Sequence, residues 1–258
     1  MHVRKLCLLA GAALALALPV VAQDQPQQQQ PIRRPDGGTS GKMESIFVAP
    51  KAGAPFSFTL HTEWVRPLGN GGTFTFVNER HIVRDGRGRI YQERWLLVPK
   101  GGNAKSFMTT IQITDPEQHT WYNCDTTSKV CDLYRYRLSS TDEFVPFTAP
   151  TAAAPNGRSS HQHQDLGAST YEGEDTHGYR ETTTIEPGVM GNDQPMVTTR
   201  EFWWAPRLAI NLISIVDNPI SGKQVFTVKD LSISEPDPNY FQVPTDYKVV
   251  DRREEQNQ

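Results

Sequence analysis

The chain has 258 residues, with 26 Lys and Arg against 29 Asp and Glu and a formal net charge of −3, a balance that excludes the basic face expected of a nucleic-acid binder. Its length suits one sizeable core or two small ones. An apolar share of 37% favours thin sheets with one wet face, which bury their apolar residues economically.

The opening MHVRKLCLLAGAALALALPVVAQ has the three parts of a secretory signal: Arg4 and Lys5, an apolar run from Leu6 to Val21, and small residues at Val20 and Ala22. The run is shorter than the roughly 20 residues a spanning helix needs. We therefore expect residues 1–22 to be a signal peptide cleaved before Gln23, and the mature protein to be exported, periplasmic or extracellular, with no transmembrane segment. Cys7 is not at the cleavage position, so it does not mark a lipoprotein. Residues 23–43 are Gln, Pro and Gly with little to bury, the composition of a disordered leader. Within them GGTSGK fails the phosphate-loop pattern, because Asp36 and Met43 stand where Gly and Ser or Thr are required.

From about Glu44 the pattern has period two. PFSFTLHTEW puts Phe56, Phe58, Leu60 and Trp64 on one face and Ser57, Thr59, His61 and Glu63 on the other, a half-buried strand. PLGNGG turns the chain into TFTFVNERHIV, which adds Phe74 and Phe76. Asp85-Gly86 then makes a tight hairpin into RIYQERWLLV. SFMTTIQIT and HTWYNC continue the series. WYNCDTTSKVCDLYRY reads as a hairpin whose Cys124 and Cys131 face each other. Two cysteines in an exported chain read as a disulfide, and their spacing suits neither a zinc knuckle nor a redox pair.

Residues 139–168, rich in Ala, Pro and Ser, read as a long loop. Strands resume through TYEGEDTHGYRETTTI, MVTTREFWW, LAINLISIV and KQVFTVKDLSI, followed by a polar tail at 251–258. About ten to twelve short strands without an amphipathic helix indicate a single all-β domain over residues 44–250.

RSSHQHQDLG places His161, His163 and Asp165 two apart. On an extended backbone they share one face, which raises a metal-dependent hydrolase as a reading. The zinc motif H-x-H-x-D-H fails at Leu166, and a loop supplies no second shell to orient the ligands. A polar segment without a metal is the expectation. Glu172, Glu174, Asp175 and His177 read as the solvated bend of a hairpin, since nothing nearby desolvates one carboxyl. There is no G-x-S-x-G nucleophile elbow. No catalytic residue and no cofactor is expected.

Three segments carry a resemblance: TTTIEPGVMGNDQP, EFWWAPRLAINLISIVDNPISGKQVFTVKDL and EPDPNYFQVPTDYKVV. Together they resemble a group of exported proteins of acidobacterial type. Through that group the chain is distantly similar to the periplasmic lipoprotein-carrier superfamily, whose members are LolA-, LppX- and RseB-like. The resemblance implies a strongly curved antiparallel sheet, an unclosed β-barrel or half-barrel, with a hydrophobic concave face. The helices that plug that face in the carriers have no counterpart in this sequence. Part of the apolar face is then expected to stay open, and such patches mark binding sites. Phe56, Phe58, Leu60, Phe74, Phe76, Leu208, Ile210 and Leu212 are its candidate ligand contacts. The leading expectation is a non-enzymatic envelope protein that binds or carries a lipid, such as a lipoprotein acyl chain. A structural or protein-interaction module of the cell envelope is the second, and a metal-dependent hydrolase the third.

Overall fold

The computed structural model describes residues 46–136, 151–153 and 157–255. The expected signal peptide, the leader and residues 139–150 of the expected loop lie outside them.

The alternation in PFSFTLHTEW becomes β1 (Phe56–Pro67), whose even-numbered residues from Phe56 to Trp64 are buried while the odd ones between them are half exposed. β2 (Thr73–Arg84) runs back beside it, with Phe56 opposite Arg84 and Trp64 opposite Phe76. The next turn is built by Asp85, whose Oδ1 accepts the backbone N–H groups of Arg87 and Arg89. It leads into β3 (Ile90–Trp95). A two-residue strand, β4 (Val98–Pro99), folds back onto β2. β5 (Met108–Asp115), β6 (Thr120–Asp125) and β7 (Val130–Arg135) continue the meander.

The second half contains β8 (Ala152–Ala153), β9 (Ser159–Tyr171), β10 (Glu174–Ile185), β11 (Met196–Ala205), β12 (Ile210–Asn218) and β13 (Gly222–Ser232). β14 (Lys248–Asp251) closes the described chain. All lie in one sheet ordered β14-β7-β6-β5-β3-β2-β1-β13-β12-β11-β10-β9-β8, with β4 off the path. The sheet is curved and does not close on itself, as expected. β1 sits at its middle because β13 returns to pair with it. Among the described strands the one departure from antiparallel pairing is β14, which runs parallel to β7.

Strand alternation places two cores on opposite faces. The first uses the even face of β1: Phe56, Phe58, Leu60, Ile82, Ile210, Leu212, Phe226 and Val228, closed by Ile46, Ala205 and Leu208. The second lies on the other face of β2–β7: Val83, Tyr91, Ile111, Ile113, Cys124 and Cys131. The C-terminal segment covers it. Asp237 caps a 3-10 turn (Pro238–Phe241), accepting the Asn239 N–H at 2.9 Å. Phe241, Tyr240, Val243 and Tyr247 then pack on the core. The P-D-P-x-x-F motif of the sequence is thus a lid for the second core.

Two expectations need correction. Residues 159–168 are strand, not loop: β9 pairs with β10 along its length, with a bulge between Gly178 and Tyr179. The sequence hides this because β9 is largely polar on both faces and nowhere fully buried. Backbone pairing with β10 holds it, so no apolar alternation was needed. Leu208 is also not on a strand face with Ile210 and Leu212. It lies in the β11–β12 turn, where Ala209 takes a φ of +52° and donates its N–H to Ala205 O, and the turn tucks Leu208 into the core.

Candidate ligand-binding site

Six of the eight expected ligand contacts form the centre of the first core. Phe56, Phe58, Leu60, Leu208, Ile210 and Leu212 are each no more than 1% exposed. What covers them is the stretch before β1 and the β11–β12 turn, and Arg84 fastens both. Its Nε donates to Ala54 O at 2.9 Å, Nη1 to Ala49 O at 2.7 Å and Nη2 to Leu208 O at 2.6 Å. Its guanidinium also stacks on the Phe56 ring at 4.3 Å. Burial lowers the pKa of this arginine to about 10, so it stays charged at neutral pH. The apolar face is therefore closed at these six positions by these chain segments. Phe74 and Phe76 stand apart from them, edge to face at 4.3 Å, with Trp64 beside Phe76.

Cys124 and Cys131 are bridged, opposite each other across the β6–β7 hairpin as expected. His161, His163 and Asp165 do share one face of β9, since they pair with Thr183, Glu181 and Tyr179. They are not gathered around a point. His161 Nδ1 lies 3.2 Å from Thr183 Oγ1. Asp165 Oδ1 accepts the Gly167 N–H at 2.7 Å and lies 2.6 Å from His177 Nε2. The Gly167 bond and then His177 hold that carboxyl below its ordinary range. His161 Nε2 and His163 Nδ1 are buried without a hydrogen-bond partner, but two nitrogens are fewer ligands than a zinc site uses. Among the described residues no cluster of three His, Cys, Asp or Glu side chains is placed to hold a metal. Of the other acidic cluster, Glu174 is buried and paired with Arg207, and Glu172 accepts the Leu231 N–H at 3.4 Å. Neither is poised as an acid–base partner.

A cavity of about 680 Å³ opens on the opposite face of the sheet from the first core. Its floor is the odd face of β1 and β2: Thr59, His61, Val77, Glu79 and His81. One wall is the end of β3, with Glu93 and Trp95. The other is Val98 of β4 and Ser106 of the loop that follows. Asn78 locks the wall to the floor by donating Nδ2–H to Trp95 O at 2.7 Å. Beyond Trp95 and Ser106 their neighbours Leu96 and Phe107 join through an N–H···O bond of 3.0 Å, their side chains 45% and 53% exposed.

Several polar groups of this cavity are already engaged, while Asn78 Oδ1 is buried without a hydrogen-bond partner. Glu93 accepts from Trp95 Nε1–H at 2.7 Å, the His81 N–H at 3.1 Å and Tyr91 O–H at 3.1 Å. Glu79 Oε1 lies 3.2 Å from His61 Nδ1 and accepts from Lys229 Nζ at 3.3 Å. Partial burial pushes the Glu79 carboxyl up, but Lys229 and His61 outweigh it and hold it below its ordinary range. That direction is wrong for a proton donor at neutral pH. Ser106 Oγ donates to Leu96 O at 2.6 Å. What remains open to a ligand is the apolar wall of Val77, Trp95 and Val98, with a fixed polar rim at His61 and Glu79. The sequence placed Thr59 and His61 on the polar face of the first strand but gave no face to Val77, Glu79 or His81. The signal lay in the odd positions of β2, which pair with that polar face: His81 with Thr59, Glu79 with His61 and Val77 with Glu63.

No family model matches the chain, and no curated protein matches it. Among solved structures it is similar to LprF from Mycobacterium bovis, at 11% identity over 71% of this chain and 90% of that one, with a TM-score of 0.26. It is similar to an outer-membrane lipoprotein-sorting protein domain from Vibrio parahaemolyticus, at 11% identity over 74% and 91%, TM-score 0.20. Lipoprotein LppX from Mycobacterium tuberculosis is matched at 11% identity over 69% and 89%, TM-score 0.23. LppX and the lipoprotein-sorting domain are of the kind the sequence resemblance names.

Proposed function

We propose that this protein is an exported, non-enzymatic binding module of the cell envelope, and that it holds the hydrophobic part of a ligand, such as an acyl chain, in the cavity between the β1–β2 floor and the β3–β4 wall. The carrying observation is that cavity: about 680 Å³, within the usual size range of ligand pockets, with an apolar wall and a few fixed polar groups. Phe56, Phe58, Leu60, Leu208, Ile210 and Leu212 serve this reading as the core behind the floor, and Leu96 and Phe107 as the rim. A protein-interaction module is the second reading. It is favoured by the exposed apolar side chains at the turn end of the sheet, Leu68, Met190 and Ile220, where single-molecule proteins expose few large apolar patches.

The neutral fluorescent probe N-phenyl-1-naphthylamine tests the first reading. It is expected to bind the native protein and to lose affinity by about tenfold or more in Val98→Arg, which puts a charge against the apolar wall. Phe58→Ala is expected to leave affinity nearly unchanged while costing about 3–5 kcal/mol of stability, as for a buried phenylalanine. A native protein that ignores the probe, or one whose affinity falls with Phe58→Ala and not with Val98→Arg, overturns the placement.

A further inference from the structure

A second cavity, about 360 Å³, lies on the other face of the sheet, beneath Ile46 and Val48 and beside Trp121, with Arg94, Gln112 and Thr114 also lining it. Arg94 is the unusual member. Its Nε donates to Gln112 Oε1 at 3.1 Å. Gln112 is itself oriented, because its Nε2 donates to Asn123 Oδ1 at 3.0 Å. Nothing in the described residues neutralises the guanidinium. Asp132, which pairs with Asn123 across β6 and β7, is held by Arg252 at 3.1 Å. Arg80 of β2 adds a second positive charge nearby, and burial holds Arg94 below its ordinary range. A partly desolvated cation without a counter-charge is costly, and four of its five N–H groups point from the two Nη nitrogens, the fork that fits a carboxylate edge.

We propose that this cavity binds the carboxylate of a small apolar acid, with the Nη groups of Arg94 taking both oxygens and Ile46, Val48 and Trp121 enclosing the hydrocarbon. A carboxylate fits better than a phosphate because Arg94 is the one charged side chain in a lining whose other polar members, Gln92, Gln112, Thr114 and Tyr136, are neutral. The site is separate from the cavity on the opposite face and does not depend on the function proposed for it.

Titration calorimetry of the mature chain with octanoate, octanol and inorganic phosphate tests this. Octanoate is expected to bind about tenfold or more tightly than octanol, the worth of a charge-assisted hydrogen-bond pair, and phosphate is expected not to displace it. Arg94→Gln should bring octanoate to the level of octanol while leaving the melting temperature unchanged or raised, which a purely structural arginine would not do. Arg94→Lys, which keeps charge without the fork, should fall between. Val98→Arg, in the other cavity, should leave octanoate binding intact. Equal affinity for octanoate and octanol overturns the proposal, as does an undiminished Arg94→Gln, a melting temperature that falls with loss of binding in both Arg94 variants, or the absence of any octanoate binding. Displacement by phosphate at equal concentration overturns it in favour of an inorganic-anion site.

Discussion

Arg84 shows how a charged residue can serve a core. It sits in the middle of an apolar cluster with no carboxylate among its contacts in the described residues, and its three hydrogen bonds all end on main-chain carbonyls. Those carbonyls belong to the two segments that close the first core, so the arginine does the work of a clasp. Each bond from a charged donor is worth more than a neutral one, and a buried carbonyl that loses its donor keeps the full desolvation cost. Arg84→Met is therefore expected to lower the unfolding free energy by about 3–5 kcal/mol, the range for breaking a buried charged contact, read from the urea midpoint. Arg87 is the control. Its side chain is 53% exposed and its contacts with Asp85 and Glu117 are long, 3.9 and 3.7 Å, so Arg87→Met should cost no more than about 1 kcal/mol. Equal costs would remove the clasp from the account. None of this was legible in the sequence. RHIVRDG shows an arginine at the end of a strand, where a solvated side chain is the usual reading, and its partners are up to 124 residues away.

The elements differ in how openly they declare themselves. β1 and β13 each bury one face, apolar but for Thr62 and Gln224, and both were readable because burial on one side writes period two into the sequence. β9 was not, because its fold comes from pairing with β10 and neither face is dry. The β6–β7 hairpin was readable for a different reason: its cysteines fix the register by chemistry. Asp125 completes the turn, Oδ1 accepting the Thr127 and Ser128 N–H groups at 3.1 and 2.7 Å. The bridge closes a short loop, and chain entropy gives it about 2–3 kcal/mol. Replacing Cys124 and Cys131 with Ala is expected to lower the unfolding free energy by that amount without changing the strand signal in circular dichroism. The loss should concentrate in the second core, where both sulfurs are buried against Ile111 and Ile113. No loss at all, or two freely alkylated thiols in the unreduced native protein, would contradict the pairing.

At the scale of the whole molecule, the sheet works as a floor with different business on each side. The first core occupies one face near β1 and β13, the second the other face near β3–β7. Each leaves a cavity on the surface it does not use. The all-β class and the disulfide were present in alternation, turn residues and cysteine spacing, while the unclosed curved sheet came only with the resemblance. The location of the candidate site was not, because an apolar strand face has the same sequence pattern whether a ligand or another chain segment covers it. Here the segment from Ile46 and the turn around Leu208 cover it, and the open apolar wall arises where β4 folds back on β2, a contact that no local pattern encodes. The central claim is that the cavity walled by Val77, Trp95 and Val98 holds a hydrophobic group. Native mass spectrometry of the protein purified from its own cells tests it most directly. The account predicts a mass above that of the bare polypeptide, carried by an apolar molecule that is present with Phe58→Ala and missing with Val98→Arg. A bare polypeptide in both the native protein and the variants, or an adduct that Val98→Arg retains, would contradict it.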